Sequence, residues 1–312
     1  MNLISLISNG IIIYAVFSIL VLGYFFTIVY NKVMAKNDLK IGVDVGASKV
    51  LVARIQNGKV VAREKIYFSN RSEAYILKSV FSAIDGVADG RKVKKIGIGV
   101  PCVIAGGKAR RCFNIPILEK IDLKEILEKK YGAKVTIMND TKAMLRYELW
   151  RNSALRKKRV LFIAWGTGIG SAFSINGQIQ EGPRGLAGEI GHSIVCIEGG
   201  GSLEDYAAGR TFQPKGKSLW LQEVLDNKNS RRSKLIFSKI GQGLGIGILN
   251  AIYHYDPDMI IIGGGLYRFL PFTIPHIRKT INQNALIPDL AKIKIIRSHL
   301  PEDAGVLGSV LY

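Results

Sequence analysis

This 312-residue sequence predicts a duplicated α/β fold with a cleft between two lobes, and two observations carry that prediction. A strand, a glycine turn and a second strand occur twice, at 40–55 around Gly46-Ala47-Ser48-Lys49 and at 160–175 around Gly166-Thr167-Gly168-Ile169-Gly170. Strand-like and helix-like stretches follow each copy, the pattern of a layered α/β protein. In a dinucleotide-binding unit the glycine turn opens a helix, whereas here it opens another strand, so that fold is excluded. No repeat of 20–50 residues is present, which excludes a solenoid.

The first element is apolar. Residues 11–30 hold no charge and only Ser18 and Thr27 as clearly polar side chains. Twenty helical residues span ~30 Å, the thickness of a bilayer hydrocarbon core. A cleaved signal peptide is the alternative, with Val33-Met34-Ala35 as a small-residue site. Against it, no Lys or Arg precedes Ile11, and the run exceeds the usual ~7–15 residues. A buried terminal helix is disfavoured because it is apolar on every face. The expectation is a membrane anchor within residues 1–38. Lys32, Lys36 and Lys40 follow it at once, which places the remaining bulk on the cytoplasmic side.

Basic residues number 44 against 24 acidic ones. Removing 1–38 takes away two lysines and one aspartate, so the body keeps 42 against 23 and is itself basic. That balance suits an anionic partner: a lipid surface, a phosphorylated ligand or nucleic acid. The three cysteines, Cys102, Cys112 and Cys196, contain no C-x-x-C pair. A self-sufficient cysteine zinc site is thereby excluded, and no disulfide scaffold is expected.

In the body, strands are predicted at 40–45, 50–55 and 59–67, a helix at 73–88 from its helical apolar spacing, and a strand at 95–100. A helix at 122–131 and a strand at 134–138 lead to Asn139-Asp140, and 141–150 is helical. The second copy has strands at 160–164 and 171–175, then Asn176-Gly177, a hairpin turn signal. Pro257-Asp258-Met259-Ile260-Ile261-Ile262 is a buried strand running into Gly263-Gly264-Gly265, a bend open enough to admit an adenosine.

Glycine turns let backbone N–H groups approach phosphate oxygens without a Cβ in the way. Asp44 closes its strand, where it is either an ordinary turn aspartate or a holder of Mg²⁺ through water, with Ser48 and Lys49 facing phosphate. Asp140 is either a helix N-cap or a general base for a hydroxyl attacking phosphorus. Glu189, His192 and Glu204 stand among glycines, as surface-loop residues or as partners for sugar hydroxyls.

In order and spacing, these motifs resemble the ROK family (repressor, open reading frame, kinase), especially its glucokinase-like sugar kinases. The resemblance covers about 39–312. Asp44-Val45-Gly46-Ala47-Ser48-Lys49 is similar to the family's first phosphate motif, and Gly166-Thr167-Gly168-Ile169-Gly170 to its second. Gly97-Ile98-Gly99-Val100-Pro101 with Asn114-Ile115-Pro116, the Asn139-Asp140 pair and the run from Gly182 to His192 also fit. So do Leu203-Glu204 and the tail Glu302-Asp303-Ala304-Gly305-Val306-Leu307-Gly308.

The resemblance implies a two-lobed actin-like ATPase fold, in which two ribonuclease H-like halves are duplicated. Its first lobe is expected at 39–139, completed by a returning helix at 301–312, and its second at 140–300. It implies ATP and Mg²⁺, phosphorylation of glucose to glucose 6-phosphate, Asp140 as base, and a homodimer without nucleic acid. Asn114, Asn139, Glu189, His192 and Glu204 are the implied sugar contacts. Asp44, Gly46, Ser48, Lys49, Gly166, Thr167, Gly168, Gly263, Gly264 and Gly265 are the implied nucleotide contacts, with Asp44 on Mg²⁺. Kinases for N-acetylmannosamine, N-acetylglucosamine or fructose, a polyphosphate donor and a non-catalytic sugar sensor are the alternatives. The family's cysteine-rich zinc segment is replaced by 193–202, which holds one cysteine, and a closed zinc site needs about four ligands, so no zinc is expected. Cys102 stands where the family commonly has glycine.

Overall fold

The computed structural model describes residues 39–213 and 220–311; the anchor expected at 11–30 lies outside the described residues. The first half runs β1 (Leu39–Val45), β2 (Lys49–Gln56), β3 (Lys59–Tyr67), α1 (Glu73–Ala88), β4 (Val93–Val100), β5 (Val103–Ala105), β6 (Lys108–Arg111), α2 (Leu123–Tyr131) and β7 (Lys134–Asn139). The second runs α3 (Asp140–Arg151), β8 (Arg159–Trp165), β9 (Ile169–Ile175), β10 (Gln178–Ile179), α4 (Leu203–Ala207), α5 (Gly209–Phe212), α6 (Trp220–Asp226) and α7 (Arg231–Tyr255). It ends with β11 (Met259–Gly263), α8 (Leu270–Asn284), β12 (Lys294–Arg297) and α9 (Ala304–Val310).

Two five-stranded sheets have the same plan, β3-β2-β1-β4-β7 and β10-β9-β8-β11-β12. In each, the central strand pairs antiparallel with the next strand in sequence and parallel with a later one. The central strands are buried nearly throughout, as strands covered on both faces must be, whereas β3 at the edge alternates exposed and half-buried positions. Ser72 caps α1 by accepting from the Tyr75 N–H, and Ile76, Val80, Ala83, Ile84 and Val87 form its buried stripe.

The chain's end returns to the first sheet. Val306 of α9 joins Leu51 and Ala53, Leu307 and Val310 join Ile55, and the Ser309 hydroxyl donates to the Gly97 carbonyl at 3.0 Å. α3 leaves the end of β7 but sends Leu145 and Leu149 into the core of the second sheet, beside Val160 and Phe162. It is therefore the rod through which the two sheets meet. α7 is long and apolar enough to cross a membrane, yet 67% of its apolar window is buried inside the protein, as in a core helix.

No disulfide scaffold is expected from the sequence, but the structure joins Cys102 to Cys112. The reason is hairpin register: Val103 pairs with Arg111, which brings the flanking cysteines together with Cα atoms 4.3 Å apart. Both are buried, and their ten-residue separation closes a short loop. Constraining such a loop contributes on the order of 3 kcal/mol. Converting both cysteines to alanine should lower the melting temperature by about 5–10 °C. Reductant should do the same to the native protein and nothing further to the variant, as read by thermal melts.

Candidate active site

The parallel register builds the site. Asp44 lies beside Gly99, Gly99 beside Met138, and Val100 beside Asn139, so Asp44 and Asp140 flank the end of β4. A Cβ on Gly99 would stand 3.8 Å from the Asp140 Cα. Burial, then the negative charge of Asp140, push the Asp44 carboxyl up to about 7, while Lys49 pulls it back. Burial raises Asp140 to about 6 against hydrogen bonds from the Thr141 N–H, at 2.7 Å, and the Thr141 hydroxyl, at 3.3 Å. Burial likewise raises Glu189 to about 7, with Lys142 opposing and Asp140 and Glu204 reinforcing the rise. Four carboxylates thus share one electrostatic neighbourhood.

The second glycine turn closes over this cluster. Its Gly166 N–H donates to the Gly168 carbonyl at 2.9 Å, and Thr167 is exposed at the tip. A Cβ on Gly168 would run into the Glu204 carboxylate, and one on Gly170 into the Thr141 hydroxyl. The turn is therefore wedged between Glu204 and the start of α3. The bend at 263–265 abuts it: Gly264 has φ +90°, Leu266 N–H donates to the Trp165 carbonyl at 3.0 Å, and the space beside Gly265 is open. At the first turn, the Gly46 N–H donates to the Lys49 carbonyl at 2.9 Å and Ser48 is exposed. The Lys49 ammonium lies 3.1 Å from Glu302, which also pairs with Lys65.

The sequence-derived sugar contacts divide. Glu204 is buried beside the second turn and lies 2.8 Å from Arg210. Asn139 is held by structure: its carbonyl oxygen caps α3 by accepting from Lys142 N–H at 3.1 Å, and its amide donates to the Cys102 carbonyl at 3.2 Å. His192 and Asn114 are exposed, and the His192 ring stacks 5.0 Å from Phe113, the neighbour of Asn114. The His192 N–H donates to the Glu189 carbonyl at 3.3 Å, but among the described residues no side-chain hydrogen bond joins either residue to the carboxylate cluster.

The segment lacking the zinc cysteines is held by ordinary interactions. Ile194 bridges Ser202, Leu203 N–H donates to the Ser193 carbonyl at 2.9 Å, and Ser202 with Asp205 forms a reciprocal capping box on α4. Leu203 lies against Gly247 of α7, where any larger residue would displace it. No cluster of three or more His, Cys, Asp or Glu fit to hold a metal occurs among the described residues.

Two cations were not legible as site residues. Lys142, two residues past Asp140, is 4% exposed and donates to the Gly185 carbonyl at 2.9 Å. Its own pKa is lowered by burial, while Glu189 and Glu181 counter that. Arg210 bridges Glu204 and Asp205. A lone Lys or Arg on a helix carries no sequence signal of what it faces; only the Asn139-Asp140 motif immediately before Lys142 marks the neighbourhood.

The family model described as ROK matches residues 40–312. A glucokinase from Thermotoga maritima is 26% identical over 303 residues, covering 86% of this chain and 95% of that one. A xylose repressor from Caldicellulosiruptor bescii is also 26% identical, over 86% of this chain and 76% of its own. The crystal structure of a ROK family glucokinase from Streptomyces griseus, in complex with glucose and AMPPNP, superposes with a TM-score of 0.72 at 22% identity. It covers 87% of this chain and 98% of that one, and shows the same two-lobed fold.

The raised carboxylates give the stability a definite pH dependence. The folded protein binds their protons more tightly than the unfolded chain, so their cost is absent below about pH 4 and grows as pH rises through about 6 to 7. Asp44, raised from 3.8 to about 7, accounts for on the order of 4 kcal/mol at pH 8. Asp44→Asn should therefore melt on the order of 5–10 °C above the parent at pH 8 and level with it near pH 4. A difference independent of pH would contradict this origin.

Proposed function

The chain belongs to the ROK family, and from that premise we propose that it is an ATP-dependent hexose kinase of the glucokinase type. The observation that supports this most is Asp140: a carboxyl raised to about 6, at the end of a buried strand, beside a second carboxylate and opposite a glycine turn. A base poised near neutrality takes a proton effectively at working pH.

Two facing carboxylates with little cationic compensation fit Mg²⁺, which keeps several waters and binds through one or two carboxylates. Asp44 would hold it, and when bound the ion neutralises charge on phosphate oxygens. The N–H groups of the turns at 46–49 and 166–168 would orient the phosphates, and the bend at 263–265 would receive the adenosine. In the transfer, a sugar hydroxyl oxygen forms a bond to the γ-phosphorus, the bond to the bridging oxygen breaks, and the hydroxyl proton passes to Asp140. ADP departs. The protein contributes position and charge more than covalent chemistry.

Glu189, Glu204 and His192 would surround the sugar, with Asn114 at the rim and Asn139 fixing the start of α3. Glucose is the proposed substrate, ahead of N-acetylmannosamine, N-acetylglucosamine and fructose, and ATP the proposed donor ahead of polyphosphate. The similarity to a xylose repressor supports a second reading, sugar sensing without transfer. Asp44 and Asp140 both remain at the heart of the site, which favours the kinase. The proposal retains an anchor at 11–30 with the body on the cytoplasmic side, and a homodimer.

A coupled assay of ADP release over a panel of sugars tests the reading. Asp140→Asn should reduce turnover by roughly 10²–10⁴ while sugar binding persists. Undiminished turnover would remove Asp140 from the role of base. Failure of the native protein to turn over any sugar would favour the sensor.

A further inference from the structure

A cavity of about 550 Å³ lies between the β5–β6 hairpin and the loop before His192. Such a volume falls in the ~300–1,000 Å³ range of pockets that enclose ligands larger than one pyranose. Its wall is apolar, formed by Val103, Ala105, Pro183 and Leu186, while Arg110, Arg111 and Arg184 stand on its rim. Among the described residues none of these three arginines has an ion-pair partner. The carboxylates near the hairpin are engaged elsewhere: Asp122 lies 2.9 Å from Lys108, and Glu119 accepts from Cys112 N–H at 2.9 Å. Arg111 instead lies over the Phe113 ring, 4.9 Å from its centroid.

The cavity is coupled to the reacting centre. Gly185, between the lining residues Arg184 and Leu186, gives its carbonyl to Lys142 of α3 and packs against the Ile104 backbone of β5. His192 lines the cavity and belongs to the loop that carries Glu189. A ligand that reaches Asp140 can therefore extend into this space.

Charge decides what the extension is. Asp44, Asp140, Glu189 and Glu204 crowd the inner site, so an anionic group of the sugar, with no metal ion beside it, would be repelled there. The arginines lie outside that field and have the fork geometry that pairs with carboxylates. The apolar wall suits the carbon face of a second sugar ring. Resting on the kinase reading above, we propose that the substrate is an acidic disaccharide. Its reacting sugar lies at Asp140, and the carboxylate of its second, uronic ring pairs with Arg110 and Arg184.

The test compares a β-linked glucuronosyl-glucose disaccharide with cellobiose and glucose, by calorimetric binding and by ADP release, in native protein and in the R110Q/R184Q variant. The native protein should bind the acidic disaccharide about 10–100-fold more tightly than cellobiose, the range for hydrogen bonds to a charged group. The variant should lose that preference while its affinity for glucose and its KM for ATP stay unchanged. Equal native binding of the two disaccharides would overturn the subsite, as would a preference that survives in the variant. A variant defect confined to ATP would overturn it too, by assigning the arginines to the donor. Phosphorylation of glucose without charge preference sinks the subsite alone. Tight, arginine-dependent binding with no phosphorylation of any sugar sinks the kinase reading and leaves the subsite standing.

Discussion

The repulsion between the carboxylates of Asp44 and Asp140 is the constraint around which the rest of the site is organised. Parallel register across β1, β4 and β7 brings them to the same end of the sheet. Burial raises both pKa values, and the charge of Asp140 raises Asp44 further. Lys49 compensates Asp44 in part while also paired with Glu302, and Lys142, which donates to the Gly185 carbonyl, offsets Glu189 instead. In the proposed kinase, the remaining negative potential would attract a hard cation and its phosphates. Stability is lost to the site in the absence of its ligands, the usual relation between a preorganised active site and the fold that carries it.

Holding this pair in register requires both sheets. α3 begins at Asp140, is capped by Asn139, and buries Leu145 and Leu149 in the second sheet while α9 closes on the first. Asn139 also donates to Cys102, whose disulfide closes the hairpin lining the outer cavity. One hydrogen bond thus connects the hairpin to the cap of the helix that begins at Asp140. The loop carrying Glu204 is held by a capping box, one bridge from Ile194 to Ser202 and the seat of Leu203 on Gly247.

What was legible in the sequence follows from what local pattern encodes. The repeated strand–turn–strand, the buried strand before Gly263 and the Asn139-Asp140 junction all announce themselves through short-range residue patterns, and they stand where expected. The returning helix at 304–310 was legible only through the resemblance, because its partners Leu51 and Ile55 lie some 250 residues away in the chain. Cys102–Cys112 was not legible: three cysteines without close spacing say nothing, and the pairing depends on the register of a hairpin between them. Lys142, Arg210 and the three rim arginines were equally silent, since a charged residue's partner is set by tertiary packing. Asn139 carries a structural role that the motif did not announce: its side chain caps α3 and donates to the Cys102 carbonyl.

The account stands on the carboxylates of Asp44 and Asp140 sharing one buried, cation-hungry place. Carbon-13 NMR titration of aspartate-labelled protein, with Asp44→Asn and Asp140→Asn used to assign the two signals, measures this directly. Without ligands, the account predicts midpoints near 7 for Asp44 and near 6 for Asp140, and a fall in both when Mg²⁺ and a non-hydrolysable ATP analogue are added. Both carboxyls titrating near 3.8 in the free protein, indifferent to the metal–nucleotide complex, would contradict it.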